Sequence, residues 1–232
     1  MEAFEDKVRR GGATAMQEVE RFFMKEGAVH QALRNIAARF DQLGIPYAVA
    51  GGMALVGHGY DRTTVDVDIL VTPEGLAAIH ANLEGLGYVA PFAGSKNLRD
   101  TDTGVRIEFL VAGQYPGDGK PKPVAFPDPA TIAVDISGVR YVGLPALIEL
   151  KLASGMTGKG RRKDIGDVQE LIRTLGLGED FAQKLNPYVR GLYIELWREL
   201  QNGWPVAGKA AKRNVPAGRD RSRGRPGHSA FD

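Results

Sequence analysis

Residues 47–71, YAVAGGMALVGHGYDRTTVDVDILV, decide how the rest of the chain is read. Tyr47–Ala50 reads as a strand, Gly51-Gly52 as a turn, Met53–Val56 as a short apolar helix, and Val65–Val71 as a second strand behind a polar loop. Asp66 and Asp68 interrupt that second strand, which is otherwise Val, Ile and Leu. Side chains at i and i+2 of a strand share a face, with Cα atoms roughly 7 Å apart. Two carboxylates therefore stand side by side at the start of a hydrophobic strand. Burying unpaired charge is costly, and close carboxylates repel. A divalent cation between them removes both penalties, and Mg²⁺ takes hard oxygen ligands while leaving positions for substrate phosphates. Taken alone, the pair is equally compatible with an edge strand whose acids face water. The glycines upstream tilt the reading, because they leave room and bare N–H groups beside a helix start, a favourable place for phosphate.

Gly51-Gly52 followed by Asp66-Val67-Asp68-Ile69 resembles the signature of the nucleotidyltransferases of the DNA polymerase beta superfamily, a glycine pair and then two acids alternating with apolar residues. That signature expects a third carboxylate between apolar residues on a neighbouring strand. Arg106-Ile107-Glu108-Phe109-Leu110 offers Glu108 in that setting. The resemblance implies an α/β (α+β) fold, with a small mixed twisted sheet flanked by helices and a C-terminal helical part. It implies that Asp66, Asp68 and Glu108 are both catalytic residues and ligands of two Mg²⁺ ions. The reaction would move an NMP from an NTP, ATP among them, to an acceptor hydroxyl. Gly51 and Gly52 would approach the phosphates through their N–H groups. Arg62 and Thr64, just ahead of the carboxylates, are candidates for phosphate or ribose, or else ordinary residues of a strand entry. His58, a single imidazole in a glycine-flanked loop, reads as a bystander.

A second stretch, LIELKLASGMTGKGRRKDIGDVQELI at 147–172, resembles the helical segment of stand-alone nucleotidyltransferases of the abortive-infection toxin type, the AbiEii-like proteins. There Lys151, Arg161, Arg162 and Lys163 would sit near the triphosphate or the acceptor, with Lys151 and Lys163 binding nucleotide. Lys151 lies inside an apolar helix, where an unpaired charge is costly. Asp164 reads equally as a helix N-cap, Asp167 as a first-turn acid favoured by the helix dipole, and the Arg/Lys residues as a solvated loop. The superfamily signature is shared by enzymes acting on tRNA, on proteins and on aminoglycoside- or lincosamide-like antibiotics, so the acceptor (RNA, protein or small molecule) stays open. A cognate antitoxin partner goes with the toxin reading, and a catalytically silent nucleotide-binding or antitoxin-like partner is the alternative of another class.

At 232 residues and 43% hydrophobic content the chain is long enough to bury a sizeable core. It holds no cysteine, which excludes disulfides and thiolate metal sites. No apolar run approaches the roughly 20 residues that cross a bilayer, and nothing resembles a signal peptide, so a cytoplasmic protein without membrane contact is expected. The expected organisation is N-terminal helices over 1–44, a catalytic core over 45–143, a C-terminal helical part over 144–204 and a basic tail over 205–232. Residues 1–12, charged and ending in Gly11-Gly12, read as a frayed start. The Pro-, Gly- and Lys-rich loop beyond Gln114 reads as a cover for a site or a plain connection. In the tail seven Lys and Arg residues face two acids, a local +5 in a chain of +2, leaving −3 for the body. Such a tail contacts nucleic acid through phosphates or simply solubilises the chain.

Overall fold

The computed structural model describes residues 2–203, and the basic tail read at 205–232 lies outside them. The chain opens with α1 (Phe4–Arg9), where a frayed start was expected. Two contacts account for the order: Phe4 is buried with its N–H on Gly104 O at 3.2 Å, and the Glu5 carboxylate takes Arg99 in a two-toothed pair at 2.8 and 2.9 Å. Helices α2 (Gly12–Phe23) and α3 (Ala28–Leu43) follow. In α3, Leu33, Ile36, Ala37 and Phe40 recur at helical spacing and are buried. Gly44 ends the helix in the left-handed conformation, φ 65°, which a residue without Cβ adopts at no steric cost.

Then come β1 (Tyr47–Val49), α4 (Gly51–Gly57), β2 (Asp66–Val71) and α5 (Pro73–Leu83), the last capped by the Thr72 hydroxyl accepting from Gly75 N–H. Strands β3 (Tyr88–Val89), β4 (Leu98–Asp100) and β5 (Arg106–Val111) precede the single-turn α6 (Pro129–Ile132) and the hairpin β6 (Ala133–Ile136) and β7 (Val139–Val142). Helices α7 (Leu144–Thr157) and α8 (Arg162–Leu175), a 3₁₀ turn over Glu179–Lys184 and α9 (Pro187–Gly203) complete the described chain.

The seven strands form one mixed sheet in the order β3-β4-β5-β2-β1-β7-β6, which helices flank. β2 is its middle strand, antiparallel to β1 and parallel to β5. A parallel pair needs a long crossover. Here α5 and the strands β3 and β4 make that crossing and bring β5 back alongside β2. Val67, Ile69, Ile107 and Phe109 are fully buried, and Phe40 of α3 lies 5.3 Å from the Tyr47 ring and 6.4 Å from the Phe109 ring. The alternate positions Asp66, Asp68, Arg106, Glu108 and Leu110 are only partly covered and face the other way.

Three boundaries differ from the sequence reading. Gly51 and Gly52 are the first two residues of α4 rather than a separate turn. α7 continues to Thr157, which shortens the break between the two C-terminal helices. α8 begins at Arg162 with Arg161 at its cap position, so Asp164 lies inside the first turn and is not the N-cap. Replacing Phe109 by Ala removes a ring with no exposed surface from the face that sets the β2–β5 register. That cavity should cost about 3–5 kcal/mol in urea unfolding.

Candidate active site

The parallel β2–β5 register pairs Asp66 with Arg106 and Asp68 with Glu108. Neighbouring strands run about 4.8 Å apart. Three carboxylates are thereby gathered on one face, two by the i, i+2 spacing and the third by the strand pairing. They open into a cleft of about 490 Å³. Ten of the residues singled out from the sequence (Gly51, Gly52, Arg62, Thr64, Asp66, Asp68, Glu108, Lys151, Arg161 and Lys163) line that cleft, and Arg162 does not. His58 does not; its Nε2 lies 2.8 Å from the Val142 carbonyl and ties α4 to β7.

The glycine pair is fitted to the acids. Gly51 has φ +56°, and a Cβ built on it would fall 2.6 Å from the Asp68 carboxyl carbon. One on Gly52 would fall 2.7 Å from Thr64 Cβ. A side chain at either position would displace the group it meets. As the first residues of α4, Gly51 and Gly52 also carry N–H groups with no partner inside the helix. Thr64 donates its hydroxyl to Asp66 at 2.8 Å, and Ala50 N–H donates to the Asp68 carbonyl at 2.8 Å.

Burial, with the Asp66 and Glu108 carboxylates beside it, pushes Asp68 up to about 7 against the opposing pull of Lys151 and Lys163. The acids thus need positive charge. An all-carboxylate donor set gathered on one face suits a hard divalent cation. Among the described residues, however, no three acids already close around a single point. Arg106 lies among them instead, its Nη2 3.4 Å from Asp66 and in contact with Glu108.

Across the cleft, Lys151 is buried, and its ammonium donates to Asp167 at 2.6 Å and to Asp164 at 3.0 Å. Ser154 donates to the other Asp164 oxygen at 2.8 Å. Arg62 reaches over from the loop before β2 and grips both Asp167 oxygens at 2.8 and 2.7 Å. The two acids are therefore internal partners of Lys151 and Arg62, tying α7, α8 and the loop before β2 together. Lys159, Arg161 and Lys163 stand exposed on the cleft rim, and only Arg161 has an acid within reach, Asp164 at 3.9 Å.

The remaining wall is apolar: Leu110, Pro116, Phe126, Leu147 and Leu150. Pro116 and Phe126 belong to the loop after β5, which Lys122 holds in place. Its ammonium is buried and donates to the Pro116 carbonyl at 2.6 Å and to the Thr157 hydroxyl at 3.1 Å. Backbone bonds bracket the loop: Gly113 N–H donates to Phe126 O at 2.8 Å and Phe126 N–H to Gln114 O at 2.7 Å. Sequence reasoning missed the partners of Lys151 and the ion pairs of Arg106, although Arg106, two residues before Glu108, was readable as sharing its strand face.

No protein-family model and no curated protein matches the sequence. Among solved structures, the chain is similar to ANT(2")-Ia in complex with adenylyl-2"-tobramycin at 16% identity and TM-score 0.46, over 71% of this chain and 96% of that one. It is also similar to an antigenic nucleotidyltransferase-like protein from Paracoccidioides brasiliensis at 16% identity and TM-score 0.46, over 74% and 89%. A third similar structure is JHP933 from Helicobacter pylori, at 14% identity and TM-score 0.42, over 82% and 92%.

Asp167→Ala leaves Arg62 without its acid and takes one of two acids from the buried Lys151, and should cost about 1–3 kcal/mol in chemical unfolding. A pH effect follows from Asp68. Its folded-state value of about 7 lies above the ordinary 3.8, so the folded chain holds a proton that the unfolded chain releases. The associated stability is complete below the ordinary carboxylate range and is lost as pH rises through about 7. In chelator-treated protein the melting temperature should fall from about pH 4 to about pH 7 and level off above it, and Asp68→Asn should remove that part of the fall.

Proposed function

We propose that this chain is a nucleotidyltransferase that moves an NMP from an NTP to an acceptor hydroxyl, with RNA as the acceptor its cleft favours. The observation that carries the reading is the β2–β5 register, which puts Glu108 beside Asp68 and two positions from Asp66, over Gly51 and Gly52. Three carboxylates gathered on one face, with Asp68 raised to about 7 by burial and by the other two, suit a divalent cation, and the nearby cationic rim and bare N–H groups suit a polyphosphate. Mg²⁺ held by Asp66, Asp68 and Glu108 would supply neutralising charge and Lewis-acid polarisation.

The chain's own groups then divide the work. Gly51 and Gly52 present N–H donors to phosphate oxygens. Lys163 and Arg161 offset the charge of the leaving pyrophosphate. Arg62 and Lys151, both held by Asp167, keep the loop before β2 and helices α7 and α8 fixed around the nucleotide. The acceptor oxygen bonds to the α-phosphorus while the bond from that phosphorus to the bridging oxygen breaks, and pyrophosphate leaves with the electron pair. Glu108, the most exposed of the acids placed on β5 and β2 beside Arg106, receives the hydroxyl proton.

The lining favours an anionic acceptor over a cationic drug. Among the described residues the only acid lining the cleft beyond the three carboxylates is Asp164, and Lys151 and Ser154 already engage it. The rim presents Lys159, Arg161 and Lys163. Incubating the protein with each α-³²P NTP, Mg²⁺ and total tRNA, beside Asp66→Ala/Asp68→Ala, tests the reading. Label should pass to RNA with wild type and not with the double variant. Label passing instead to protein or to an aminoglycoside would replace the acceptor, and no transfer to any of the three would overturn the assignment.

A further inference from the structure

We propose that Arg106 is a built-in counter-cation of the carboxylate group that gives up its place when a divalent cation binds; this rests on the nucleotidyltransferase reading of the same site. Arg106 is the strand partner of Asp66 and precedes Glu108 by two residues, so its side chain starts from the face that carries the acids. One nitrogen, Nη2, serves both neighbours, at 3.4 Å from Asp66 and in contact with Glu108. Its Nε is buried and has no partner.

That is a poor use of a guanidinium. The strong arrangement is a fork meeting one carboxylate through two parallel bonds, as Arg99 does with Glu5. Arg106 instead splits one end between two acids and leaves a buried donor unsatisfied. Its side chain is 41% exposed, so a path to solvent lies open, in contrast to Lys151 at 9%. Charge holds Arg106 among the acids. A small doubly charged ion ligated by the same oxygens competes with it directly.

Mn²⁺ binding, followed by the electron paramagnetic resonance signal of free Mn²⁺ in the absence of nucleotide, reads this competition without any turnover. Arg106→Gln should bind Mn²⁺ about tenfold tighter than wild type, since the competing charge is gone from within a few ångströms. Lys163→Gln removes the same charge from the rim of the cleft and should tighten binding much less. In chelator the Arg106→Gln protein should melt below wild type, and Mn²⁺ should close the gap. Equal affinity for Arg106→Gln and wild type, or an equal gain in Lys163→Gln, overturns the proposal and leaves the metal site standing. Weaker binding in Arg106→Gln also overturns it and makes Arg106 a permanent support of Glu108. Failure of folded wild type and Arg106→Gln alike to bind Mn²⁺ removes the metal site and the proposal together.

Discussion

Everything in the cleft depends on β5 lying parallel to β2 in one particular register. Strand pairing repeats with a period of two, and a slip by one residue would send Glu108 to the buried face and Ile107 or Phe109 to the cleft. The apolar face opposes such a slip. Val67, Ile69, Ile107 and Phe109 are fully buried against α3, and turning them outward would expose all of that area at once. The hydrophobic core on one side of the sheet is thus what holds the carboxylates together on the other. Their mutual repulsion is small beside the burial that opposes it, roughly 25 cal/mol for each Å² of apolar surface.

Charge organises the opposite wall. The group formed by Arg62, Asp167, Lys151, Asp164 and Ser154 joins a loop of the sheet to two helices that follow it by about a hundred residues. Ion pairs of this kind contribute little net stability once desolvation is counted, yet breaking one leaves a stranded charge. Their effect is therefore on geometry: few other arrangements of α7 and α8 leave all of these groups satisfied. The crowded carboxylates differ in being only partly compensated, by a single nitrogen of Arg106.

How much of this was legible follows from the range of each interaction. The alternation in DVDILV and in RIEFLV marks two strands and tells which side chains share a face, because that information is local. The pairing of those strands is carried by a crossover over residues 72–105, and no local pattern in the sequence states the register. Gly51-Gly52 read as a turn because glycine is a weak helix former, but both glycines begin a helix. What fixes them is the approach of Asp68 and Thr64, a tertiary fact. The charge of Lys151 was visible as an anomaly in an apolar run, while its partners, thirteen and sixteen residues on, became its partners only through the angle at which α8 folds back. Residues 2–10 looked too polar to fold, and one buried Phe with one forked ion pair overrode that composition.

The loop after β5 had two readings, a cover or a plain connection, and the Lys122 anchor gives it a third character. With its ammonium bound to Pro116 O and Thr157, the loop is a finished wall before any ligand arrives. Association with such a surface does not wait for a segment to order itself, so encounter should be paced by diffusion and desolvation instead of by a gating motion. Selection among ligands would then rest on how well a molecule fits a pre-shaped apolar shelf opposite a charged one. Discrimination of that kind appears in dissociation rates, and it leaves the time a ligand remains bound, more than the speed of its arrival, as the quantity the cleft controls.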